Sequence, residues 1–225
     1  MLIDHIGVIL LPQLLLLRVI GRIALPLFAF MIAEGCRYTK NKARYFFLMF
    51  GVGALCQIVM FLYNRSLDMS ILITFSLSVL LIFAFCEVKE EIFAATPRLG
   101  RLLCEIALFS LLLCGVGILD LYVHLDYGAE GVMLPLFAAL LHPPKRTEGT
   151  YLHKIDSARL HASVMAIGLM LLAVDDGWVQ CFAFFALPLL FLYSGKRGKW
   201  RLKYFFYVFY PAHLLALQLI AWIVF

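Results

Sequence analysis

Four stretches of the chain, 46–63, 69–86, 177–195 and 204–225, run without a single Asp, Glu, Lys or Arg. Each approaches the roughly 20 residues a helix needs to cross a hydrocarbon core about 30 Å thick. Five more, 1–17, 23–36, 102–119, 128–142 and 159–174, are apolar but shorter, or interrupted by proline or an ionisable side chain. These runs are apolar on every side. A membrane barrel would alternate apolar and polar positions over segments of about 10 residues, and open strands leave backbone groups unpaired in lipid. The pattern therefore predicts an all-α polytopic transmembrane helical bundle of about nine spans.

Composition agrees. Of 225 residues, 64% are hydrophobic and 15% charged, with a mean hydropathy of +0.96, against about half and a quarter in an average soluble domain. No soluble domain is expected, and 1–225 reads as a single transmembrane domain without internal repeats; 142–151 is the one linker-like stretch. The net charge of +5 does not point to nucleic acid, because sixteen of the nineteen basic residues fall in the connections 37–45, 87–101, 142–159 and 196–203. The intervening connections carry Asp68, Asp120, Asp126, Glu130, Asp175 and Asp176. The positive-inside rule then predicts a multi-pass cell-membrane protein with a cytoplasmic amino terminus and an extracytoplasmic carboxyl terminus. The six cysteines lack CxxC or histidine spacing, so they read as free thiols and no metal site is expected. Signatures of nucleotide hydrolysis, metalloproteolysis or a serine nucleophile elbow are absent.

Candidate chemistry comes from polar groups inside the runs, since each ionisable side chain there costs roughly 2.5 to 3.5 kcal/mol unless it is paired, faces the interior or snorkels. Asp4 and His5 open the chain, and an imidazole is suited to proton abstraction near neutral pH; a polar helix contact is the alternative. Arg18 and Arg22 share a helix face and suit a phosphate or carboxylate, or they snorkel at a helix end. Glu34 fits an ion pair with Arg22, Arg18 or His5 as well as a substrate contact, on a helix that Pro26 is expected to bend. Asp126 and Glu130 begin another span, where the helix dipole also favours acids. In the last span Tyr210 and His213 flank Pro211, and His213 reads either as a site residue or as a packing histidine bonded to a freed carbonyl. Gln57 and Gln218 are expected to join helices.

The blocks Met-Leu-Ile-Asp-His-Ile-Gly at 1–7, Gly-Arg-Ile-Ala-Leu-Pro-Leu-Phe-Ala-Phe-Met-Ile-Ala-Glu-Gly at 21–35, Asp126-Tyr127-Gly128 and Tyr210-Pro211-Ala212-His213-Leu214 resemble the TraX family of membrane proteins. That family is named for a conjugal-transfer protein associated with amino-terminal acetylation of pilin, and is similar to the wider group of membrane acyltransferases. The resemblance implies a bacterial inner-membrane acyltransferase with no bound cofactor, using acetyl-CoA as co-substrate. The acetyl group would pass to an amine or hydroxyl on a membrane or extracytoplasmic acceptor. His5 and Asp4 would be catalytic, with Arg18, Arg22, Glu34, Asp126, Tyr210 and His213 contacting substrate or cofactor. In the family further residues of the first helix precede the Asp-His block, which points to a shortened start. A transporter or proton pathway, and a non-catalytic membrane scaffold, are the alternatives.

Overall fold

The fold comes from a computed structural model and is described for residues 1–64, 70–95, 97–144, 154–175, 177–196 and 203–224. The connections bearing Arg65, Asp68, 145–151, Asp176 and Lys199 lie outside these. In chain order the elements are α1 (Leu2–Ile9), α2 (Leu15–Gly21), α3 (Ala24–Tyr38), α4 (Lys42–Asn64), α5 (Ile71–Ala95), α6 (Arg98–Asp120) and α7 (Gly128–Ala139), then α8 (Ala158–Asp175), a 3₁₀ segment (Trp178–Phe185), α9 (Ala186–Phe191) and α10 (Lys203–Val224). The described residues contain no strand. Five stretches have the length and apolarity to cross a membrane: Leu15–Tyr38, Lys42–Leu62, Ile71–Ala95, Gly100–Asp120 and Tyr204–Val224. Gly128–Ala139, Ala158–Val174 and Trp178–Phe191 are shorter apolar helices. The last covers about 25 Å, because a 3₁₀ helix rises about 2.0 Å per residue.

The first run differs from the expected single span. Pro12 cannot donate to a helix ladder, so α1 stops at Ile9 and the chain turns before α2 begins at Leu15. Eight residues make α1 only about 12 Å long, and it folds back against α2 instead of crossing. Two glycines allow that approach. A Cβ on Gly7 would lie 2.9 Å from Leu17 Cβ, and one on Gly21 would lie 2.7 Å from Asp4 Cα. Pro26 sits in the first turn of α3, where its missing N–H leaves the Arg22 carbonyl without the usual helical donor. The ladder is interrupted there between α2 and α3, while Arg22 and Ile23 keep helical dihedrals within the one apolar stretch Leu15–Tyr38.

The centre of the bundle is α7, apolar and buried from Gly131 to Ala139. Helices α3, α5, α6 and α8 surround it, and Gly168 on α8 leaves room for the Phe137 ring. By contrast, α6 presents Leu102, Leu103, Ile106, Leu111 and Ile118 outward, as a lipid-facing helix does. Gln57 does join helices, its amide oxygen accepting the Ser70 N–H at 2.8 Å. Gln218 Nε2 reaches Met60 Sδ at 3.8 Å.

Candidate functional site

Along α3 every residue from 23 to 33 is apolar, and polar groups gather at its two ends. At the start of α3 lies a cavity of about 40 Å³ lined by residues that include Asp4, His5, Leu25, Phe75, Asp126 and Tyr127. The chain-distant segments 1–22, 126–127 and 210–213 meet around it. Of the eight expected site residues, Asp4, His5, Arg18, Arg22, Asp126, Tyr210 and His213 are brought together here; Glu34 is not.

The histidines are ordered by a carbonyl. His213 Nδ1 bonds Phe209 O at 2.8 Å, and His213 Nε2 lies 2.8 Å from His5 Nδ1. A carbonyl oxygen only accepts, so His213 Nδ1 carries the proton. With uncharged rings, His213 Nε2 then accepts from His5 Nδ1–H. That leaves His5 Nε2 as the unprotonated nitrogen, the tautomer a general base requires. The carbonyl used is that of Phe209, within the α10 ladder, and not one freed by Pro211. Tyr210 meets the His5 ring edge-on at 6.1 Å between centroids, and Tyr210 and His213 are both buried.

The arginines are engaged by the protein itself. Arg18 Nε lies 3.3 Å from Asp4 Oδ1, pairing α2 with α1, while Arg22 Nη1 donates to the Tyr127 hydroxyl. Helix periodicity did place the two on one face, but each answers a different neighbour instead of forming one anion fork. Asp4 thus orients Arg18 and the α1–α2 hairpin and does not hold the ring of His5.

A second cluster, which the sequence signalled only through Glu34, occupies the other end of α3. Arg37 Nη1 donates to Asp156 Oδ1 at 3.2 Å and Nη2 to Oδ2. His161 Nε2–H donates to the same Oδ1 at 2.6 Å. The His142 ring meets His161 at 4.6 Å between centroids, and its Nε2 stands 3.8 Å from Glu34 Oε1. Tyr193 completes the set through its electrostatic interaction with Glu34. Glu34 therefore pairs with neither Arg18, Arg22 nor His5. Lys89, counted above as a topological charge, is buried; it donates to the Leu140 carbonyl at 2.8 Å and pairs with Glu105 at 3.4 Å, tying α5 and α6 to the end of α7.

A model of the TraX family, described as TraX protein, matches residues 1–221. The chain belongs to the TraX family. No curated protein and no solved structure matches it. The family match extends from the Asp4–His5 hairpin through the helix that carries His213, so it covers both polar clusters of this TraX-family membrane protein.

This second cluster, at the Arg37 end of α3, gives a pH dependence with a definite sign. Burial, then the neighbouring His161 and Arg37, push His142 down from 6.5 to about 3. Between those values the unfolded chain binds a proton that the native state refuses, so stability falls as pH falls. The slope is up to about 1.4 kcal/mol per pH unit. Asp156 acts in a separate and lower window: burial raises its pKa, but the Arg37 and His161 hydrogen bonds outweigh burial and hold it below 3.8. Its contribution is present above that value and lost below it. Thermal midpoints of purified protein in detergent should drop from pH 7 to pH 5, and His142→Gln should flatten that drop. An equally steep drop in the variant would remove His142 as its cause.

Proposed function

We propose that this protein transfers an acetyl group from acetyl-CoA to an amine or hydroxyl on a membrane or extracytoplasmic acceptor. The observation that carries the reading is the Phe209 carbonyl, His213, His5 chain, which leaves a base on a cavity at the end of α3 remote from the basic loops. His5 Nε2 takes the acceptor's proton as the acceptor nitrogen or oxygen bonds to the thioester carbonyl carbon. The tetrahedral intermediate then collapses, the C–S bond breaks, and the departing thiolate receives the proton from His5. A general base contributes about 10²- to 10⁴-fold to such a step.

With the Lys42 connection in the cytoplasm by the positive-inside rule, the His5 cavity falls in the extracytoplasmic half. Because α1 folds back on α2 and does not cross, the amino terminus then lies on the extracytoplasmic side, opposite to the sequence expectation. From Leu25 at the cavity to Arg37 is about 18 Å of helix. A transmembrane proton pathway fits less well, because the α3 stretch joining the clusters offers no relay group. Purified protein given labelled acetyl-CoA together with its host membrane components tests the reading. Mass spectrometry should find the label on an acceptor in an amount that grows with protein and time; absence of any labelled product would refute acyl transfer.

A further inference from the structure

Tyr127 is held in a conformation that needs an explanation. At φ 60° it is the one non-glycine residue with positive φ among the described residues. A side chain there is strained, and such strain persists where surrounding contacts fix it. Three features fix it here. The Asp120 carboxylate accepts N–H bonds from Leu125 at 3.3 Å and Ala129 at 3.2 Å, clamping the turn on both sides. Gly128 follows at φ 57°. Gly131 has no Cβ, and one placed there would lie 2.6 Å from Tyr127 Cβ.

The turn delivers the phenol to the His5 cavity, with Arg22 behind it. A guanidinium only donates, so the Arg22 bond fills a lone pair on the phenol oxygen and leaves the phenolic proton available. Donation from a cation also polarises that O–H, making it the stronger donor. The cavity is small. Its volume is about 40 Å³, above the roughly 10 to 15 Å³ needed to hold one water. A base and a polarised donor line the same small space.

We propose that Tyr127 is a catalytic residue, donating a hydrogen bond to the oxyanion of the tetrahedral intermediate, and that Arg22 is the positioning residue that orients and polarises it. The assignment rests on the acyl-transfer reading. As the acceptor atom bonds to the carbonyl carbon and His5 takes its proton, the carbonyl π electrons move onto oxygen. Tyr127 keeps its proton and donates the hydrogen bond. When the C–S bond breaks those electrons return, and no proton is exchanged with Tyr127.

Tyr127→Phe removes one oxygen. At saturating donor and acceptor, kcat should fall about 10²- to 10³-fold, with the KM for acetyl-CoA within threefold and the pH profile unmoved. Arg22→Met should be costly in the parent protein and nearly silent in the Tyr127→Phe background. If the phenylalanine variant assembles poorly, 3-fluorotyrosine at 127 keeps the shape and raises the acidity of the donor, so kcat should change. Unchanged kcat in either variant, a loss confined to KM, or an equal Arg22→Met cost in both backgrounds overturns the assignment. A parent protein that transfers no acetyl group sinks the acyl-transfer reading and this one together, whereas a fully active Tyr127→Phe sinks this one alone.

Discussion

His5→Ala should abolish acetyl transfer while leaving the protein inserted, a loss of about 10²- to 10⁴-fold if the imidazole is the base. The alanine also removes the bond to His213, so it cannot by itself separate chemistry from packing. Glutamine can. His5→Gln offers an amide to His213 Nε2 but has no basicity near neutral pH, and it should be as inactive as alanine at saturating acetyl-CoA. His213→Gln should fall between the parent and the two His5 variants, because it loosens the ring of His5 without removing the base. Transfer rates are compared at equal membrane levels of each variant. An active His5→Gln would retire the general base and leave His5 as a joint between α1 and α10.

The cluster around His5 was legible because each member is an ionisable or ring-bearing intruder in an apolar run, where lipid penalises it and the spacing of its neighbours cannot satisfy it. What the sequence could not show was their arrangement. His213 lies 208 residues from His5, and no local periodicity reports that its ring orders the tautomer of His5. Tyr127 went unassigned for a different reason, since a left-handed tyrosine is rare and its only forerunner in the sequence is the glycine after it. The hairpin of α1 and α2 was hidden in apolarity: 1–17 is greasy enough to read as a crossing, and Pro12 is what folds it back.

The cluster around Arg37 escaped because charges in connections cost nothing by the rules used to find spans. Lys89 was counted as a topological charge and His142 and Asp156 received no role, yet Lys89 and His142 are buried. Glu34 and Arg37, three apart on α3, share a face and were the one local hint. Their partners come from segments more than a hundred residues away. The same rule that set the orientation thus concealed a buried network.

Asp156→Ala should be the most destabilising single change at that end of the bundle. Its carboxylate accepts from both nitrogens of the Arg37 fork and from His161, so its removal strands a guanidinium and an imidazole N–H together. Breaking a buried pair by deleting one partner costs about 3 to 5 kcal/mol. The lower end applies here, because the Arg37 side chain is still 27% exposed. Replacing both members relieves the stranded charge, so Arg37→Met/Asp156→Ala should melt above Asp156→Ala alone, with a coupling of about 0.5 to 3 kcal/mol. Thermal unfolding of the four proteins in one detergent at pH 7 gives the cycle. Additive losses would mean that Arg37 and Asp156 do not act as a unit. An Asp156→Ala protein that melts like the parent yet transfers no acetyl group would move the Arg37 cluster from holding α3 against α8 into the chemistry itself.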